Sequence, residues 1–484
     1  MISKEVYFRE VKESMHRILS LLNRNPSSDN YGSFDRDYWN YNSFDISNSR
    51  KQEAVLTLAL MYSIKRGDNP YYLNDAVLQW INAALEFTKK LQNADGSFDE
   101  MYPNEHSFVA TAFVSYSISE AVLLLKGKVK NRDYAIACLR KAGDWLLAKD
   151  ERMALNQKCG SVMALCNIYL LTKDKKYMEG AKNKLSGLLK MQSVEGWFPE
   201  YDGADIGYLS LSIDYLAKYY AQTRDKILLR HLARAVDFIM YFLSPDYTSG
   251  GEVGSRNTAY LIPHGFELLA GKLRNARVVC NFIRESIECG KAISPSSIDD
   301  RYLLFNGYTY LQAYIDGKDN KKCASWPPSS GFLKYFKDSG LVIRNGKSYS
   351  IINVKKGGVS KIVFGKGPSL SDGGISVKLN SGERLSSSYV GRNDKTVVEK
   401  NKIEITRKFL RVRKTSLNPY SFAAFRAFQL TMGRIEYISR NARNLIRGKI
   451  IRQSDNLAGM SFSRTFEFNG EGITITDKIH PIRD

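Results

Sequence analysis

Three short stretches carry groups that could move a proton. Asn104, Glu105 and His106 follow Tyr102 and Pro103, directly ahead of the apolar run SFVATAFVSYS. Asn is a good helix cap and Glu suits the positive end of a helix dipole, so capping accounts for both. It gives no task to His106, one of only five histidines. Tyr208 follows DGADIG, and Tyr260 follows Arg256 and Asn257 in GSRNT. A phenol beside Arg256 or a helix N-terminus has its phenolate stabilised, as a base that removes a carbon-bound proton requires. Arg50, Gln52, Asn156, Gln157 and Asn257 can hydrogen-bond a carboxylate or hydroxyls. Tyr38, Trp39, Tyr102, Trp197 and Tyr302 offer flat faces for pyranose rings, or for packing within their own loops. His264, after Pro263, reads as a ligand contact or as a core or kink residue, whereas His16, His231 and His480 read as structural.

Composition narrows the partners. The 71 Lys plus Arg against 50 Asp plus Glu give a formal charge of +21, which calls for an anionic partner. No nucleic-acid motif accompanies the charge, so nucleic acid is set aside. Phosphate-loop, Rossmann, kinase and HExxH patterns are missing, and neither a cofactor nor a metal is expected. Cys138, Cys159, Cys166, Cys280, Cys289 and Cys323 lie in apolar segments without a CxxC pair and read as buried free thiols. The N-terminus, MISKEVYFREVKESMHRILSLL, breaks every apolar stretch with charge. That pattern lacks the core of a signal peptide, and the expectation is a cytoplasmic protein.

The positioning elements follow from a repeat. Polar clusters open apolar, helix-periodic runs at Ser49, Asn104, Leu155, Asp205, Ser255 and Ile298, a spacing near fifty residues. Amphipathic helices alternate with them near 5–22, 74–92, 131–149, 175–191, 226–243 and 275–288. Runs that are apolar all round form an inner ring and the amphipathic ones cover it, giving an (α/α) toroid over residues 1–325. Loops rich in Gly, Asp and aromatics precede the inner helices and gather at one end, where free N–H groups welcome an anion. After Trp326 the sequence alternates with Gly/Asn/Asp turns, predicting an antiparallel β-sandwich over 326–484, with a small terminal hairpin open to continuation beyond Asp484.

A helical insertion near 418–452 interrupts the sandwich, with Phe422, Phe425, Met432, Ile435 and Ile438 three or four residues apart. Around it lie Arg407, Lys408, Arg411, Arg413, Lys414, Arg426, Arg434, Arg440, Arg443, Arg447, Lys449 and Arg452 against a single acid, Glu436. Two readings follow: a solvated helix packing its apolar stripe on the sandwich, or an element that docks peripherally on the anionic inner membrane face.

The motifs DGSFDEMYPNEHSF, WFPEYDGADIGY and GGEVGSRNT followed by PHGFELL, then a β-rich tail with VIRNG, resemble the heparinase II/III-like polysaccharide lyases of bacterial polysaccharide clusters. The resemblance implies a toroid plus β-sandwich acting on uronate polymers. In that group an Asn, Gln or Arg neutralises the C5 carboxylate, a Tyr or His takes the C5 proton and a Tyr protonates the leaving oxygen. Asn104, His106 and Tyr208 match these roles, with Arg256 and Tyr260 in support. The sandwich histidine or zinc site of some members has no counterpart beyond His480.

Independently of the resemblance, removing the C5 proton of a uronate doubles the charge on its carboxyl group, so cations and helix N-termini aimed there stabilise the transition state. Expulsion of the C4 oxygen makes a lyase, and reprotonation on the opposite face makes a C5-epimerase acting on a nascent or lipid-linked glycan. An inverting glycoside hydrolase would instead use two of Glu53, Glu105, Asp205, Asp299 and Asp300. A polysaccharide-binding scaffold would need only the aromatics and cations.

Overall fold

The computed structural model describes residues 2–481 except 202, 320–325, 330, 366, 392–394, 413–417, 452–456 and 470–471, and omits the side chains of 443, 444 and 446–451. The inner ring comprises α3 (Ala54–Ser63), α5 (Phe108–Leu125), α7 (Leu155–Thr172), α9 (Ile206–Thr223), α11 (His264–Leu269) and α13 (Asp300–Asp316). Each packs on the next, and α13 returns to α3. The outer ring comprises α1 (Glu5–Leu21), α4 (Asp75–Lys90), α6 (Arg132–Ala148), α8 (Lys175–Leu189), α10 (Lys226–Met240) and α12 (Arg274–Glu288), while α2 (Arg36–Trp39) is one turn in the first loop. Every residue of α3 from Ala54 to Tyr62 is buried, as an inner helix requires. In α12 the buried Ala276, Val279, Cys280, Ile283 and Ile287 form one stripe. Phe108–Lys128 is long and apolar enough to cross a membrane, but most of it is buried in the inner ring.

One expected element changes. The fifth inner helix begins at His264 rather than Ser255: 255–256 lie in a turn, Asn257 has φ 58°, and 257–263 forms a loop that ends at Pro263, the residue before the first helical turn. Arg256, Asn257 and Tyr260 are therefore loop residues. Cys138, Cys159, Cys166 and Cys280 are buried as expected, Cys289 is exposed, and Cys323 lies outside the described residues. Burial pushes the Cys138, Cys159 and Cys166 thiols up to about 12.

Two antiparallel sheets follow. The first runs in the order β1 (Phe332–Phe336), β2 (Leu341–Asn345), β3 (Tyr349–Asn353), β4 (Val359–Val363), β5 (Ser369–Asp372). The second comprises β6 (Ser376–Lys378), β7 (Arg384–Ser386), β8 (Lys395–Val398), β9 (Lys402–Arg411), β10 (Leu457–Phe468) and β11 (Ile473–His480), with β10 between β9 and β11 and β8 also pairing β9. Alternation sorts the first sheet into two faces. The cross-strand pair Val342 and Ile352 meets Ile403, Ile405 and Phe466 of the second sheet, while its neighbours Ile343 and Ile351 join the toroid core. Between β9 and β10 the insertion forms α14 (Pro419–Leu430) and α15 (Glu436–Ile451). Arg413, Lys414 and Arg452, and the side chains of Arg443, Arg447 and Lys449, lie outside the described residues.

A repeated turn sets the inner helices in phase. Gln92 donates to the carbonyls of Gly96 (3.0 Å) and Cys138 (2.9 Å), as Gln192 does to those of Gly196 (2.7 Å) and His231 (3.0 Å). Gly96 has φ 94°, and a Cβ there would lie 2.3 Å from the Lys141 carbonyl of α6. Gly96→Ala should lower stability by about 2–4 kcal/mol through strain and overpacking, read by denaturant unfolding. A loss comparable to that of a surface substitution would contradict this close packing.

Candidate active site

The first turns of α5, α7, α9 and α13, with the segments that precede α3, α5, α9 and α11, line a cavity of about 380 Å³. Arg50 comes from the turn before α3, Ser107 and Phe113 from the start of α5, Asn156 and Gln157 from α7, Tyr208 from α9, Tyr260 from the loop before α11, and Arg301, Tyr302 and Phe305 from α13. Tyr102, Glu105, Glu200, Tyr201 and Arg256 enter from loops.

Arg50 forms one wall. Its guanidinium lies 3.9 Å from the Phe305 ring centre and 4.9 Å from that of Phe113, and its Nε meets Glu53 at 2.7 Å. Burial works against this charge, but Glu53 and Glu100 outweigh it. Glu100 also binds Arg301 at 2.7 Å. Arg256 differs: among the described residues it has no acidic partner, and its guanidinium lies 4.7 Å from the Tyr201 ring centre.

The opposite wall holds neutral acids. Asn156 donates to Glu200 at 2.6 Å, and burial pushes the Glu200 carboxyl up to about 8, with Asp205 and Glu151 adding to the shift and Asn156 and Arg256 opposing it. Tyr208 hydrogen-bonds Tyr302; burial first, then Tyr302, raises the Tyr208 phenol, and Arg256 pulls the other way. The stabilisation of a Tyr208 phenolate expected from Arg256 is present but is outweighed by burial. Tyr260 packs beside Tyr302 at 6.0 Å and is likewise raised by burial. The side-chain oxygen of Gln157 is buried without a hydrogen-bond partner among the described residues, an acceptor suited to a ligand hydroxyl.

Of the residues singled out from sequence, Tyr208, Tyr260, Arg256, Arg50, Tyr102, Glu105, Asn156, Gln157 and Tyr302 line the cavity. His106 and Asn104 do not. The chain curls at both, with φ 50° at His106 and 57° at Asn104, while the Asp99 carboxylate accepts both backbone N–H groups at 2.8 Å. Ser107, not Asn104, caps α5. His106 turns to Ser97 (2.9 Å) and Asp95 (2.8 Å); burial lowers its pKa, Asp95 outweighs this, and the net shift is upward. It locks its own loop.

Other aromatics and polar groups prove structural. Trp39 donates to the Leu21 carbonyl, Tyr38 stays half-buried in α2, and Trp197 donates to Glu195, which in turn accepts the backbone N–H groups of Asp338 and Ser339 from the sandwich. Gln52 braces the first loop through the Phe34 amide and the Gly32 carbonyl. His264 sits between Asp214 (3.2 Å) and Asp316 (2.8 Å) deep in the ring. Asn257 accepts from Lys356 of the sandwich at 2.8 Å. Lys356 also donates to the Glu252 and Gly254 carbonyls, so the sandwich holds the loop that presents Arg256.

The carboxyl groups considered for hydrolysis are occupied elsewhere. Glu53 serves Arg50, Asp205 caps α9 and accepts the Arg256 and Thr258 amides, Asp299 caps α13, and Asp300 pairs with Arg17. Glu105, which does line the cavity, accepts the Glu100 and Met101 amides. Sequence reasoning passed over Glu200 and Arg301. The aromatic flank Trp197-Phe198-Pro199 foreshadows burial of Glu200, and Arg301 follows the Asp299-Asp300 cap by the spacing of a first-turn residue.

The upward shift of Glu200 has a sign. The folded state keeps a proton that the unfolded chain releases above its ordinary value of 4.5, so this stabilisation is complete below 4.5 and is lost as pH rises through about 8. Glu200→Gln is neutral throughout. Thermal midpoints of the parent should fall relative to the variant across that window, and parallel curves would contradict a neutral Glu200.

Comparison with known proteins adds three findings. Residues 38–261 match the family model of the ulvan lyase N-terminal domain, a stretch that includes Arg50, Asn156, Glu200, Tyr208 and Arg256. No curated protein sequence matches the chain. Among solved structures, the chondroitin AC lyase of Streptomyces coelicolor A3, in complex with chondroitin sulphate, superposes with a TM-score of 0.54 at 11% identity, over 83% of this chain and 66% of that one. A Paenibacillus xanthan lyase gives 0.52 at 10% identity, over 84% of this chain and 45% of that one. The chain thus spans about half to two thirds of these lyases, and it shares their helical-toroid and β-domain fold.

Proposed function

We propose that the protein is a polysaccharide lyase that cleaves a uronate-containing glycan by β-elimination. The observation that carries this reading is one cavity lined by Arg256, which has no acidic partner among the described residues, by Glu200 with its donor Asn156, and by the hydrogen-bonded phenols Tyr208 and Tyr302, with burial favouring the uncharged form of Glu200. The match to the ulvan lyase model and the fold shared with two other lyases support it.

The chemistry follows from charge. A uronate carboxylate would find Arg256 as counter-ion, while neutral Glu200 donates a hydrogen bond rather than repelling it. As the C5 proton leaves, charge accumulates on that carboxyl group, and donors already in place stabilise the transition state more than the ground state. Once one phenol of the Tyr208–Tyr302 pair has released its proton to solvent, that oxygen takes the C5 proton, the C4=C5 double bond forms as the C4–O bond breaks, and the other phenol protonates the leaving oxygen. The pair ends the elimination with the proton count it had after that release. Gln157 would receive a ring hydroxyl, while Arg50 and Arg301 are held in the wall by their carboxylate partners. The roles implied by the heparinase II/III-like resemblance thus fall to Asn156, Arg256 and the tyrosines rather than to Asn104 and His106.

Tyr208→Phe should lower kcat on a uronate polymer by about 10²–10⁴ with unchanged thermal stability. His106→Ala should cost stability with a far smaller loss in kcat. Near-full activity of Tyr208→Phe would overturn its assignment. Asn156→Ala and Arg256→Ala should lower kcat more than they raise KM, because the full charge they stabilise exists in the transition state. A pure KM effect would make both of them ground-state binders.

A further inference from the structure

The insertion α14–α15 does not pack its stripe on the sandwich. It crosses to the toroid mouth. Asn104 donates to the Gln429 carbonyl at 3.1 Å, Ser439 donates to the Asn104 carbonyl at 2.7 Å, Lys149 meets Glu436 at 2.5 Å, and Arg426 meets Asp45 at 3.2 Å. Phe425 packs edge-on against Tyr102, with ring centres 5.4 Å apart. Between α14 and the first cavity loop lies an open groove of about 520 Å³, walled by Phe44, Met101, Tyr102, Phe422, Phe425 and Arg426.

We propose that this groove is a second glycan-binding stretch, in which sugar residues of an anionic polysaccharide are held beyond the one in the cavity. The proposal rests on the reading of the protein as a uronate lyase and extends it to chain length. Continuity is the first support: Met101 and Tyr102 wall both the groove and the cavity, so a chain leaving the cavity over these residues enters the groove directly. The second is the exposure of its apolar faces. Phe44 is 59% exposed, Met101 59% and Phe422 50%, from opposite walls that polar contacts on both sides hold in place. Exposed aromatic side chains along one groove suit the flat C–H faces of pyranose rings and recover the burial that the fold leaves unused. The third is charge. Arg426 is paired with Asp45, so the groove binds by stacking, while Arg256 in the cavity reads the carboxylate. The insertion thereby acts as a length gauge: a short oligosaccharide fills the cavity alone, and a polymer fills both.

The test uses the full chain with ulvan, chondroitin sulphate and xanthan, and with the shortest oligosaccharide cleaved from whichever polymer is processed. Phe44→Ala and Phe422→Ala should each lower kcat/KM on the polymer by about tenfold, the loss of one stacking contact. On the short fragment the change should be less than about twofold, with thermal midpoints unchanged. Equal losses on both lengths, or none on the polymer, would overturn the groove. Calorimetric titration of the inactive Tyr208→Phe variant with the same polymers reads binding without turnover. If no polymer yields an unsaturated product, the lyase reading fails. The groove then stands if polymer binding weakens when Phe44→Ala or Phe422→Ala is added, and falls if it does not.

Discussion

An inner helix buried on every side can offer chemistry only at its ends. In α3 nine consecutive residues, Ala54 to Tyr62, are shut away from solvent, and the ring closes as α13 packs on α3. Everything that meets a ligand is thereby forced into first turns and the loops before them. The inner helices present their N-termini at that end, so their positive dipole ends converge where Arg50, Arg256 and Arg301 also sit.

The β-sandwich then works as part of the site. Its first sheet is sandwiched between two cores, giving Ile343 and Ile351 to the toroid and Val342 and Ile352 to the second sheet. Lys356 spends its donors on the Glu252 and Gly254 carbonyls and on Asn257, and burial pulls it down to about 8. The loop it fixes presents Arg256. From the far side of the same domain, α14 and α15 reach the toroid through Asn104 and Lys149. The sandwich therefore holds one cavity loop from below and extends one wall from above.

The inner-ring starts were readable because polar residues at helix openings followed by runs apolar on all sides have few alternatives. Asn156, Gln157, Tyr208 and Tyr302 fall where a first turn places them. Asn104 and His106 fail for a reason that spacing does not contain: two residues with positive φ, tied by Asp99, fold the loop back on itself and turn His106 toward Asp95. Helix α11 starts only after Pro263, so Arg256 and Tyr260 reach the cavity on a loop instead of a helix. Glu200 was hidden among aromatics, where burial, its decisive property, depends on contacts between distant segments. The basic insertion carried a clear helical period, but its partner could be seen only once the toroid mouth was in view.

Elimination makes a distinctive product, and mass together with absorbance of the fragments tests the central claim most directly. In heavy water with ulvan, chondroitin sulphate and xanthan, a lyase must release fragments whose masses sum to that of the parent glycan, one of them carrying the ultraviolet absorbance of a C4=C5 double bond. Fragments that gain a water and lack that absorbance would show hydrolysis. Deuterium at C5 of an uncleaved chain would show epimerisation. Either result would contradict β-elimination in this cavity.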